Sequence, residues 1–135
     1  MTTPFRTTRR VEFHDTDMAG MVHFSNFFRY MEAAEVEYWR ARGLSVVIRQ
    51  QEERMTFPRV SASCDFFKPA LFEDLLEIEV KIARLGTKSV TFAFEIFKGA
   101  EAIARGQITA VCCKVVPGRP LEPIEIPPAM RERLQ

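Results

Sequence analysis

A surplus of either charge is what this chain lacks most: 19 Lys and Arg stand against 18 Asp and Glu, a net of +1. That balance removes any general electrostatic pull toward nucleic acid or an anionic membrane surface and admits only a local basic patch. Histidine and cysteine are scarce too, at two and three residues. Cys64, Cys112 and Cys113 form neither an even disulfide framework nor a CxxC pair, and adjacent strand residues point to opposite faces. They read as reduced, buried thiols of a cytoplasmic protein. No apolar run is long enough to cross a bilayer, and Met1–Arg10 is polar, without the apolar core of a signal peptide. Repeats, low-complexity tracts and linkers are missing, so residues 1–135 read as one domain.

What is present suits a packed core. Hydrophobic residues make up 47%, and twelve Phe outnumber two Tyr and one Trp. Arg6–Phe13 reads as a strand, followed by the turn-rich loop His14–Gly20. From about Phe24 to Arg42 the period becomes helical: Phe27, Met31, Ala34, Tyr38 and Ala41 share a face, and Gly43 stands where a terminating glycine belongs. His23 or Ser25 would cap the helix. Val46–Arg54 is a short turn or loop whose charged end reads as solvated surface. Arg59–Phe67, the alternating run around Leu76–Ile82, that around Val90–Ile96, and a long Ala102–Val116 bent at Gly106 read as four strands. Five of the eight prolines fall in Pro117–Pro128, which predicts an extended, peripheral tail over 117–135. Consecutive strands joined by short turns imply an antiparallel sheet, and the long helix must bury its apolar face against it: the class is α+β.

His14, Asp15, Asp17 and His23 bring both histidines and two carboxylates into ten residues. Such carboxylates serve first as turn residues that satisfy loop amides, which is the reading for Asp15. A metal site is disfavoured, because the spacing matches no ligand pattern and no HxH or HExxH occurs. A Ser or Cys nucleophile lacks a GxSxG elbow or a local base, and no phosphate loop is present. The remaining chemistry is carboxylate catalysis at a helix start. Exposed amides there polarise a carbonyl as its oxygen becomes negative, while Asp17 attacks it or activates water.

The stretch Val11–Ala34, with its DxDxxGxVxxxN pattern between strand and helix, resembles the signature of the 4-hydroxybenzoyl-CoA thioesterase family, close to its YbgC-like acyl-CoA thioesterases. Phe66–Ile78 and Leu85–Ser89 are similar to two further family stretches, so the likeness runs from about Thr7 to Val116. The resemblance implies a hotdog fold, a curved antiparallel sheet wrapped around one central helix. It implies homodimers or homotetramers with active sites between subunits, and hydrolysis of acyl-CoA thioesters. Neither a metal nor a separate cofactor is implied, since coenzyme A belongs to the substrate. It places Asp17 at the catalytic position, the Phe24 backbone amide at the carbonyl-polarising one, and His23 beside the reacting carbonyl. Asn26 matches the family's Asn at the helix start, a structural or substrate-side hydrogen-bonder. Lys88 and Ser89 match basic-plus-Ser positions for the CoA phosphates, with Arg84 and Lys68 weaker matches. Glu32 and Glu35 lie on the helix, where some branches place a catalytic Glu. Two rivals stay open: a non-catalytic acyl-CoA-binding hotdog, which would dispense with the carboxylate, and a hydratase or dehydratase, which would pair His23 with an acid.

Overall fold

The computed structural model describes residues 4–50 and 53–135. In chain order the elements are β1 (Phe5–Arg10), a 3-10 turn (Phe13–Asp15), α1 (Asn26–Ala41), β2 (Val47–Gln50), β3 (Glu53–Thr56) and β4 (Arg59–Phe66). They continue with β5 (Leu75–Leu85), β6 (Ser89–Lys98), β7 (Glu101–Val111), β8 (Cys113–Val115), β9 (Glu122–Pro123) and α2 (Pro128–Leu134). The five strands expected from alternation make one antiparallel sheet in the order β1-β5-β6-β7-β4. β1 and β4 are its opposite edges, yet both touch α1: Phe5 packs on Tyr38, and Phe66 on Phe27. The helix thus touches both edges of the sheet, as expected of the hotdog arrangement.

The helix presents Phe27, Tyr30, Met31, Ala34, Tyr38 and Trp39 to the sheet, where all are buried. They meet Leu76, Ile78, Val80, Val90, Phe92, Phe94 and Ile96, the inward alternate residues of β5 and β6. Each large side chain so buried stabilises the fold by about 1.5–3 kcal/mol relative to exposure. Gly106 faces this helix from β7, opposite Phe94 on one side and Cys64 on the other. No register shift marks the bend expected at Gly106. The chain instead breaks at Cys112, whose N–H donates to the Lys88 carbonyl (2.7 Å) and whose carbonyl accepts from Ile124 N–H (2.9 Å). The break lets one sheet-length run serve two sheets, so Cys112 and Cys113 are both buried although they are sequence neighbours.

Further expectations are corrected. Helix α1 starts two residues later than its apolar period suggested, because Phe24 and Ser25 form a turn closed by Asn26 N–H to His23 carbonyl (2.9 Å). The Ser25 side chain does not cap it, its hydroxyl being paired with His23 Nδ1 at 2.8 Å, but His23 Nδ1 accepts from the Ser25 N–H at the helix entry (3.3 Å). Gly43 does end the helix, at φ +71°. Val47–Gln50 and Glu53–Thr56 are not loop but paired strands of a second sheet, β2-β3-β8-β9 (Gln51 and Glu52 lie outside the described residues). The Pro-rich tail is not peripheral either. Ile126, Met130 and Leu134 recur every four residues and are buried, while Pro128 sits at the first helical turn, where its missing N–H costs nothing.

A charge lies in the middle of the helix's buried stripe. Glu35 is fully buried; its Oε2 accepts from Trp39 Nε1 (3.0 Å) and Arg59 Nη2 (2.7 Å), and Oε1 has no partner among the described residues. Burial raises its carboxyl above the ordinary 4.5, against the opposing pull of Arg59 and Trp39. The folded chain therefore holds that proton more tightly than the unfolded chain. The stability gained is full below the unfolded value of 4.5 and is lost as pH rises through the folded one. Glu35→Gln keeps an acceptor for both neighbours and removes the titration. Subtracting its urea-unfolding free energies from those of the wild type should leave a difference that declines with pH from pH 4.5 upward. A difference flat across that range would show that Glu35 does not titrate there.

Candidate active site

The loop between β1 and α1 is built around Asp15. Its carboxylate is buried, and Oδ2 accepts from Glu12 N–H (2.9 Å) and the Tyr30 hydroxyl (2.8 Å). Its carbonyl accepts from His23 N–H (2.9 Å) and Asn26 Nδ2 (2.8 Å). One residue thus ties the loop's start, its end and the helix together. Burial first, and then the Asp15 carboxylate, push the Tyr30 hydroxyl well above the usual phenol range, so it stays a donor. Asp15 is the turn residue expected of it. The Tyr30 partner, fifteen residues on, carried no local signal beyond a hydroxyl on the buried stripe of the helix.

Asp17 stands on the hairpin this frame supports. Its N–H donates to the Met21 carbonyl (2.9 Å), its carbonyl accepts from Gly20 N–H (3.0 Å), and Thr16 bridges Val22. Gly20 completes the turn at φ +84°, a left-handed conformation that side chains resist. The Asp17 side chain is exposed. Oδ1 accepts from Ala19 N–H (2.9 Å), an Asx turn that fixes its direction, and Oδ2 has no hydrogen bond among the described residues. At the loop's other end the Phe24 N–H likewise donates to nothing among the described residues. The His23 ring stacks on Phe24 (centroids 4.7 Å apart, 28° between planes) and bonds Ser25, not a carboxylate. Asn26 spends its amide on the loop. The structure therefore brings Asp17, His23 and Phe24 onto one short loop, with Asn26 at the start of α1 beside it, at one end of the sheet.

Lys88 and Ser89 are not there. They begin β6 at the opposite end, beside the C-terminus of α1, whereas the Asp17 loop pairs with Ala70 and Leu71 just before β5 starts. The eleven residues of β5 between those ends span roughly 33 Å at about 3.3 Å each. Lys68 is paired with Glu101 (2.9 Å), and Arg84 is exposed.

Sequence reasoning also missed the apolar collar around Asp17. Phe13, Met18, Phe24, Phe66, Phe67, Leu71 and Phe72 are all exposed, with Phe13 against Phe72 and Phe24 against Phe66. Phe66-Phe67 and Leu71-Phe72 flanking Lys-Pro-Ala were the available signal. A concavity of about 790 Å³ lies elsewhere, on the sheet's outer face among Glu79, Lys81, Glu95, Arg105 and Gln107. Among the described residues no three His, Cys, Asp or Glu side chains gather as metal ligands, and no helix is long and apolar enough to cross a membrane. Burial, and then Asp65, push the half-buried Cys64 thiol up to about 11, which leaves it a poor nucleophile.

Comparison with known proteins places this geometry. The model of the thioesterase-like superfamily matches residues 11–134. A protein of Aquifex aeolicus, provisionally named an esterase, is 33% identical over 76% of this chain and 79% of its own. The acyl-CoA thioester hydrolase YbgC of Escherichia coli O6:H1 is 28% identical over 83% of each. A solved 1,4-dihydroxy-2-naphthoyl-CoA thioesterase from Synechocystis superposes with a TM-score of 0.83, is 26% identical, and covers 98% of this chain and 96% of that one.

Proposed function

The chain belongs to the thioesterase-like superfamily and is a thioester hydrolase; from that premise we propose that it cleaves an aryl- or fatty acyl-CoA to free acid and coenzyme A, with Asp17 as its catalytic carboxylate. The observation that carries the assignment is a pair of unspent groups on one rigid loop: Asp17 Oδ2 and the Phe24 N–H. An amide pre-aimed at a carbonyl oxygen stabilises the negative charge that develops when the carbon is attacked. Asp17 either forms the new C–O bond itself, to be released later by water, or takes the proton of a water that forms it. In both routes the C–S bond breaks and its electron pair leaves on the CoA sulfur, a good leaving group that needs no strong acid. The collar of Phe13, Phe24, Phe66 and Phe72 suits an apolar acyl group beside that carbonyl.

A second copy completes the site in this reading. Edge strand β4 is exposed over most of its length, contains no Pro, and has one side of its ladder unpaired among the described residues. Joining two copies antiparallel along β4 sets the Lys88 end of one beside the Asp17 end of the other. From β4 across β7 to β6 is two strand spacings, and the junction adds a third, roughly 15 Å in all. Lys88 and Ser89 of one copy then serve the Asp17 of the other by holding CoA phosphates, and the unit is a homodimer or a pair of dimers. One catalytic domain in a cytoplasmic setting goes with this assignment. Hydratase chemistry is favoured less, because His23 bonds Ser25 and not an acid.

The test is thiol release measured across benzoyl-, hydroxybenzoyl-, naphthoyl- and straight-chain acyl-CoAs. Turnover of at least one with a plateau in rate is expected. Tight binding of CoA esters without release of thiol from any of them would replace the hydrolase with an acyl-CoA-binding protein.

A further inference from the structure

The turn that carries Lys88 and Ser89 is held from below by the C-terminal helix. Arg131, half-buried on α2, donates through Nη2 to the carbonyl of Gly86 (2.6 Å) and to that of Thr87 (3.0 Å). Ile126 N–H also donates to the Thr87 carbonyl (3.0 Å), Cys112 N–H to that of Lys88 (2.7 Å), and Gly86 N–H to that of Ser89 (2.8 Å). Four consecutive carbonyl oxygens are thereby occupied. This matters for an anion, since carbonyl oxygens facing a phosphate would repel it. The Lys88 side chain is left exposed, and among the described residues Arg84, Lys88 and Arg131 enter no ion pair. Beside them Arg84, Thr87, Glu125 and Arg131 border a hollow of about 460 Å³.

We propose that Arg131 is a positioning residue for coenzyme A: it fixes the Gly86–Ser89 turn so that Lys88 and Ser89 meet the nucleotide phosphates. The inference rests on the reading of Lys88 and Ser89 as phosphate-binding residues. A guanidinium suits the task because the two N–H of Nη2 lie in a rigid plane and meet both carbonyls with little loss of freedom. Lysine has enough donors but carries them on a freely rotating ammonium with a shorter reach, so it should restore the function only in part.

The product itself, free coenzyme A, is the probe, titrated calorimetrically into the full-length protein, with pantetheine, which lacks the nucleotide, as control. Lys88→Met should weaken CoA binding by about tenfold, as expected for one charge-assisted contact, and leave pantetheine binding alone. Arg131→Gln should do the same. The double variant should bind CoA no more weakly than the worse single one, because both changes remove the same contact. Arg131→Lys should fall between, and it keeps the question answerable if Arg131→Gln fails to fold. A weakening by Lys88→Met with none by either Arg131 variant would overturn the positioning role alone. Equal weakening toward pantetheine, or additive losses in the double variant, would overturn it as well. Wild-type affinity in Lys88→Met would instead remove the underlying reading of the turn.

Discussion

Asp17→Asn should lower thioester turnover by about 10²- to 10⁴-fold, the range a positioned acid–base group supplies, while CoA binding and thermal stability stay at wild-type values. The change is nearly isosteric. The Asn oxygen can still accept from Ala19 N–H, so the Asx turn and the hairpin bonds from Asp17 N–H to Met21 survive. What disappears is the negative charge and basicity of the oxygen that has no protein partner. Asp15→Asn makes the informative contrast. There the carboxylate is buried and accepts from Tyr30 and Glu12, so the loss should appear as a lower melting temperature together with weaker activity. Two carboxylates two residues apart thus separate into one that builds the loop and one that the loop presents. Hydroxylamine trapping during turnover then distinguishes the two roles open to Asp17: direct attack yields an interceptable acyl-aspartyl anhydride, and base-assisted water attack yields none. Full turnover by Asp17→Asn would remove the carboxylate from the mechanism while leaving the family assignment intact.

Local features were legible in the sequence, and features made by distant pairs were not. The Asp17 loop could be found because its strand, turn and helix start occupy one short span, and the 3.6-residue stripe fixed which face of α1 is buried. Five of the strands could be read from alternation, since each buries one face against that helix. Val47–Thr56 escaped because its strands are short and mixed in polarity, and they become strands by pairing with each other and, for β3, with β8. The tail was misread because proline counts outweighed the four-residue spacing of Ile126, Met130 and Leu134. Lys88 shows the harder limit. The family likeness singled out its turn, but only the strand directions show that this turn is a sheet-length away from Asp17 in its own chain. Glu35 was visible as a charge on the core face of a helix; its partner Arg59, twenty-four residues on, was not.

Gly106→Ala should be the most damaging of the glycine-to-alanine changes, because of close packing and not the strand bend that its place in the sequence suggests. A Cβ there would stand 2.5 Å from Met31 Sδ and 2.6 Å from the Ser63 carbonyl oxygen. The Met31 side chain can move, but Ser63 is backbone of β4, hydrogen-bonded in the sheet, and has no rotamer to yield. Relief therefore requires α1 to lift or β4 to shift, and overpacking of this kind costs about 1–3 kcal/mol. For a chain of this size the upper part of that range lowers the melting midpoint by roughly 7–10 °C. Gly20→Ala supplies the comparison, because a Cβ at Gly20 meets nothing within 4 Å. Its cost arises only from holding φ at +84°, about 1–2 kcal/mol, and falls on the Asp17 hairpin. Melting curves should therefore show the larger drop for Gly106→Ala, and activity at a temperature where both are folded should show the larger drop for Gly20→Ala. The reverse order of stabilities would mean that helix and edge strand are not packed as closely as the Gly106 contact requires. Because β4 is also the edge proposed to join two copies, a shift of Ser63 should additionally loosen the dimer, which sedimentation of the folded Gly106→Ala protein would register as a concentration-dependent loss of mass.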